Sequence, residues 1–135
     1  MSDLFTSDEW MARFKDEWNN EPGLSGAWKD LAYSNTFGFG FLGEDNPRCV
    51  VICEEGIATY VSSEVPGDLA YDIRAAESDW IKWGGASDAY SLHSTLGAAF
   101  TGGKLKFLRG DYAALVRDPR LALPFYTMFL VIGRA

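Results

Sequence analysis

Phe37, Phe39 and Phe41 are separated by single glycines, Gly38 and Gly40, and this spacing constrains the fold more than anything else in the chain. Alternate residues of an extended strand point to opposite sides, so the stretch has one aromatic face and one nearly bare face. The aromatic face needs an apolar cover, and the bare face marks a close approach by another backbone or by a ligand. The fold therefore contains a sheet with a layer laid on one side.

The cover can be found on both sides of that strand. Upstream, Trp10, Phe14 and Trp18 recur every four residues, the stripe of an amphipathic helix of about three turns. Thr6-Ser7-Asp8-Glu9 has the form of a capping box, with Phe5 and Trp10 placed to make a hydrophobic staple. Pro22 and Gly23 end that helix, and a short second one is expected over 25–31 with Trp28 and Leu31 facing in. Downstream, period-two patterns predict strands over 49–53 and 57–62, with turns at Glu44–Pro47 and Glu54–Gly56. A fourth strand is expected to put Leu69, Tyr71 and Ile73 on one face and Asp72 and Arg74 on the other.

The helical period returns at Glu77-Ser78-Asp79 with Trp80, Ile81 and Trp83, breaks at Gly84-Gly85, and resumes over 87–100 with Leu92, Leu96 and Phe100. Gly102-Gly103 leads into a fifth strand over 104–108, with Leu105 and Phe107 inward and both lysines outward. Asp111 can cap a helix over 112–117, and the segment from Pro119 to Arg134 is apolar on nearly all sides. This order predicts one α+β domain over residues 1–135, with a five-stranded, mostly antiparallel sheet covered on one face by helices.

Composition narrows the function. Five Trp, six Tyr and nine Phe in 135 residues supply either a dense aromatic core or the lining of an apolar cavity. A net charge of −7 argues against nucleic acid, which needs clustered cations, and against electrostatic docking on anionic lipid. Cys49 and Cys53 lie four strand residues apart, about 13 Å, too far to pair with each other, which fits a reducing compartment. The acidic start at Met1-Ser2-Asp3 has no apolar run behind it, and no stretch reaches the length of a membrane span, so a cytoplasmic protein without integral membrane insertion is expected.

Catalytic motifs fail on context. Gly38-Phe39-Gly40-Phe41-Leu42-Gly43 spells a dinucleotide fingerprint, but its glycines lie within a strand and no helix follows. Gly97 to Lys104 misses phosphate-loop spacing by one and leads into a strand, and Arg109-Gly110-Asp111 is a turn and cap. The single histidine, His93, cannot build a metal site alone, and the cysteines lack CxxC spacing. Asp72 and Asp79 could stand near a cavity, yet a strand or helix-start carboxylate is ordinarily a solvated face or a cap. No catalytic residue, metal or cofactor is expected.

The stretch from Asp72 to Gly110 resembles the sterol carrier protein-2 family of small lipid-transfer domains. The residues that carry this are Ala99-Phe100, Gly102-Gly103-Lys104-Leu105-Lys106-Phe107 and Gly110-Asp111, after an acidic strand and a helix beginning near Ser78-Asp79. The gap from Phe107 to Gly110 is one residue longer than the family's pattern, which suggests a bulge or a longer turn, and the final Ile132-Gly133-Arg134-Ala135 is not a peroxisomal address. The resemblance implies non-catalytic binding and transfer of a fatty acyl chain, sterol or similar molecule in a tunnel between sheet and helices. Carried over by position, the tunnel draws on Trp80, Trp83, Leu96, Phe100, Phe107 and Leu115, and Phe125, Met128, Phe129 and Ile132 close its mouth. Tyr126, Ser91 or His93 would orient a polar head group. Two other readings stay open: a small α+β enzyme with a His or Asp at the floor of an apolar pocket, and an interaction subunit whose C-terminal apolar segment docks a partner enzyme or a second copy.

Overall fold

The computed structural model describes residues 3–135; Met1 and Ser2 of the acidic start lie outside the described residues. Helix α1 (Asp8–Asn19) buries Trp10, Phe14 and Trp18 on one stripe. Its cap is Ser7, one residue later than the capping box predicts. The Ser7 hydroxyl accepts from the Trp10 amide at 3.0 Å, while the Thr6 hydroxyl is engaged in the preceding turn, donating to the Asp3 carbonyl at 2.6 Å. The expected staple contact forms, with Phe5 meeting Trp10 edge-on at 5.2 Å between ring centroids. A π-helical turn (Pro22–Gly26) runs into α2 (Ala27–Asp30), which buries Trp28. Leu31, expected to face in, is exposed, because the helix stops one residue before it.

The strands are β1 (Asn35–Phe41), β2 (Cys49–Glu54), β3 (Ile57–Ser62), β4 (Tyr71–Ala75) and β5 (Lys106–Arg109). They form one sheet in the order β3-β2-β1-β4-β5, antiparallel except for the parallel pair β1–β4. The register of β4 against β5 shifts between Asp72 and Ile73, so Ile73 faces Phe107 while Asp72 faces Arg109. This irregularity takes up the extra residue before Gly110. Helices α3 (Glu77–Gly84), α4 (Leu92–Thr101), α5 (Tyr112–Val116) and α6 (Pro119–Arg134) complete the chain. The α+β architecture is the one the periodicities predict.

Phe37, Phe39, Tyr71, Ile73 and Ala75 belong to the buried core with the apolar residues of the helices. At the centre of the helical layer is α6, which packs against α1, α2, α3, α5 and the π-helical turn and buries ten of its residues. It lacks a polar face because it has neighbours nearly all round.

The opposite sheet face explains the glycines. A Cβ on Gly40 would meet Pro47 Cα and the Arg48 nitrogen at 3.1 Å, and one on Gly38 would meet the Leu69 side chain at 2.7 Å. The close approach is thus made by the chain's own β1–β2 connection and by Leu69. Leu69 therefore lies on the glycine side and not beside Tyr71 and Ile73, because it precedes β4 and is outside its alternation. Asp72 and Arg74 share this face but are buried beneath the same loop. The Arg74 guanidinium donates to both Asp72 carboxylate oxygens (2.6 and 3.1 Å) and to the carbonyls of Phe41 (3.2 Å) and Glu44 (2.7 Å). Asp72 is thus a clasp holding a loop on the sheet and not a solvated charge, and it also borders a depression of about 290 Å³ beside Asp45, Asp68 and Arg109.

Candidate functional site

Pro119, Ala122, Leu123 and Tyr126 recur at intervals of three and four along α6 and form one side of that helix. They line a cleft of about 560 Å³ together with Val116 from the end of α5, Arg120, Tyr90 from the turn before α4 and His93 from its first turn. A volume of this size suits a small apolar ligand. Asp118 fixes this corner: its carboxylate caps α6 by accepting from the Arg120 amide at 3.0 Å and also holds the Arg120 guanidinium at 2.9 Å.

One polar pair sits in this apolar wall. The Tyr126 hydroxyl is 2.9 Å from His93 Nδ1, with the two rings nearly perpendicular and 5.8 Å apart. With the ring proton on Nε2 the hydroxyl donates to Nδ1; with it on Nδ1 the hydroxyl accepts. Burial pushes the Tyr126 phenol above its ordinary value, so it stays protonated at neutral pH. Burial, with a smaller push from Tyr126, raises the neighbouring Tyr112 to about 12.

The ten residues predicted as tunnel wall and mouth lie elsewhere. Trp80, Trp83, Leu96, Leu115, Phe125, Met128, Phe129 and Ile132 are buried in the core, Phe107 is half-buried, and Phe100 is exposed. Six of them form a continuous series of ring contacts. Trp80 stacks on Phe129 at 5.4 Å, Trp83 meets Phe129 edge-on, Phe129 meets Phe125 at 5.2 Å, and Phe107 links Phe125 to Phe100. All of these but the exposed Phe100 pack in the layer between sheet and helices, and none of the ten lines the cleft beside His93. Trp80 and Ile132 border a separate depression of about 370 Å³ next to Trp10 and Gly133, where the α3 and α6 backbones touch at Gly84 and Gly133. Of the last segment, the docking face of the alternative reading, residues 124–132 are turned into the molecule while Leu123 is exposed.

Of the three suggested head-group residues, the structure brings Tyr126 and His93 together, whereas the Ser91 hydroxyl donates to the Asp88 carbonyl in the turn before α4. Tyr90, Val116, Pro119, Arg120, Ala122 and Leu123 were not foreseen. The spacing along α6 marks that side, but a segment apolar all round hides it. Asp79 borders another shallow depression, of about 270 Å³, beside Lys82 and Lys104. Among the described residues no group of His, Cys, Asp and Glu is arranged to hold a metal ion, and no helix is long and apolar enough to cross a membrane.

No protein-family model matches the chain, and no curated protein matches its sequence. Solved structures do match. Sterol carrier protein 2 superposes with a TM-score of 0.69 at 15% identity, covering 98% of both chains. A conserved hypothetical protein of Thermus thermophilus, described as possibly a sterol carrier protein, gives 0.61 at 14% identity over 94% of this chain and 88% of its own. A ubiquinone synthesis protein, UbiJ-SCP2, gives 0.59 at 16% identity over 93% and 88%. The chain has the sterol carrier protein 2 fold along nearly its whole length.

Proposed function

We propose that the protein binds, without turning it over, an apolar molecule of lipid size, held in the cleft between the start of α4 and the α5–α6 corner. The observation that carries this reading is the cleft itself: about 560 Å³ of largely apolar wall with a single His93–Tyr126 hydrogen-bonded pair set into it. Apolar burial supplies affinity at about 25 cal/mol per Å², so covering about 350 Å² yields roughly 9 kcal/mol before the cost of ordering the ligand. The remainder after that cost sets the affinity, and broad specificity follows, since apolar burial has no direction. The polar pair orients a carbonyl, hydroxyl or carboxylate at one end.

The likeness to sterol carrier protein 2 supports this choice of ligand class, and the likeness to a ubiquinone synthesis protein extends it to apolar biosynthetic intermediates. Transfer between membranes or enzymes is the natural use of such a carrier, and two buried free thiols suit a cytoplasmic setting. The ten core residues from Trp80 to Ile132 serve in this reading as the packed layer behind the cleft, a tunnel wall only if a ligand parts their rings. A catalytic reading is less well supported. Among the described residues, the one side chain hydrogen-bonded to the His93 ring is Tyr126, and no carboxylate orients the imidazole as a base.

The test is titration with a fluorescent fatty acid and a fluorescent sterol. Wild type is expected to bind at least one at micromolar concentration. Leu123→Trp, which fills the cleft from an exposed position, should abolish binding, and Tyr126→Phe should weaken it by about 3- to 10-fold. Binding unchanged by both variants would overturn the assignment.

A further inference from the structure

The net charge of −7 is unevenly spread. Residues 100–120 contain five cations, Lys104, Lys106, Arg109, Arg117 and Arg120, against two carboxylates, Asp111 and Asp118; the other 114 residues contain seven cations and seventeen carboxylates. This basic segment forms one edge of the molecule: the end of α4, the edge strand β5 and helix α5. Its five cations are exposed. Arg120 is held by Asp118, and Arg109 stands 3.9 Å from the fully exposed Asp68, while Lys104, Lys106 and Arg117 have no carboxylate within ion-pair distance among the described residues.

Apolar side chains stand among these charges. Leu108 is 56% exposed where the β4–β5 register shifts, and Phe100 is 41% exposed, stacked on Tyr112 at 4.4 Å. Cations interleaved with exposed Phe and Leu match a surface that is anionic at its headgroups and apolar beneath them. An acidic protein would account for the cations but leave Phe100 and Leu108 without a purpose. The edge also ends at the cleft, since Val116, Pro119 and Arg120 line its mouth.

We infer that the β5–α5 edge docks the protein on an anionic lipid surface. The overall acidity, which by itself argues against such docking, keeps the other faces off the membrane and fixes which side approaches it. The docking needs only the exposed edge, so it stands or falls separately from ligand binding in the cleft.

The experiment is co-sedimentation of the ligand-free protein with vesicles of phosphatidylcholine alone or with roughly 30 mol% phosphatidylglycerol. Binding is expected to the anionic vesicles only, at about 50 mM salt, and to be lost at about 500 mM, where screening shortens the reach of each charge. Lys104→Glu/Lys106→Glu should weaken binding by about thirtyfold or more, and Lys15→Glu/Lys29→Glu, an equal change of net charge elsewhere, should leave it within about twofold. Lys29, Lys104 and Lys106 are exposed and Lys15 is half-buried, and circular dichroism checks that each variant is folded. Three results would each overturn the inference: no binding to anionic vesicles at low salt, equal weakening by the two double variants, or binding to soluble polyglutamate but not to vesicles. The last would assign the edge to an acidic protein.

Discussion

Replacing Arg74 by Met removes the four hydrogen bonds that its guanidinium gives to Asp72, Phe41 and Glu44, and leaves the Asp72 carboxylate without its cation. The pair is well shielded, with side-chain exposures of 1% for Arg74 and 12% for Asp72. Breaking such a buried pair from one side costs about 3–5 kcal/mol, because the remaining charge keeps its desolvation penalty and loses its partner. Domains of this size are stable by about 5–15 kcal/mol, so the variant loses about a fifth or more of its margin. With a urea slope near 1.5 kcal/mol per molar, the unfolding midpoint should fall by about 2–3 M. Arg74→Met/Asp72→Leu removes both charges and should recover most of that loss. Equilibrium urea unfolding followed by circular dichroism reads all three proteins. A single variant within 1 kcal/mol of wild type, or a double variant no more stable than the single, would refute the account of this clasp.

Other expectations concern the ends and the thiols. The Arg134 side chain, and then the Gly23 amide, hold the Glu21 carboxyl below its ordinary value of 4.5 and tie the end of α6 to the π-helical turn. A depressed carboxylate contributes stability above its unfolded pKa and loses it as pH falls through the folded value. Glu21→Gln should therefore cost up to about 1 kcal/mol at pH 7, kept small by the half-exposed Arg134, and the gap to wild type should close as pH drops below 4.5 in thermal melts. Burial raises both thiol pKa values, that of Cys53 to about 11 and that of Cys49 further, so neither should react with a thiol reagent at pH 8 until denaturant is added. A Cβ at Gly133 would lie 2.2 Å from the Gly84 carbonyl oxygen, so Gly133→Ala should force α3 and α6 apart and cost at least about 1–3 kcal/mol by the same urea assay.

The elements were legible wherever one local rule decided them. The four-residue stripe of α1, the alternation in β1 and the Asp111 cap of α5 each follow from a few adjacent residues. The misplacements arise where a distant segment decides. Nothing near Leu69 says that it will close over Gly38, and nothing near Asp72 says that the β1–β2 loop will cover it. The candidate site was harder still. A segment buried nearly all round has no polar face to mark its ligand side, so hydrophobicity alone does not separate Ala122 and Leu123, which line the cleft, from Phe125, Met128, Phe129 and Ile132, which do not. His93 and Tyr126 lie 33 residues apart, and only the tertiary fold brings the first turn of α4 within hydrogen-bond distance of Tyr126.

The central claim is that an apolar ligand sits beside His93 and Tyr126. Photo-crosslinking with a diazirine-bearing fatty acid or sterol, whichever binds, followed by peptide mass spectrometry tests it most directly. The account predicts adducts on residues 90–93 and 116–126, suppressed by excess unlabelled ligand and absent in Leu123→Trp. Adducts confined to the depression around Trp10, Trp80 and Gly133, or none on α5 and α6, would contradict it.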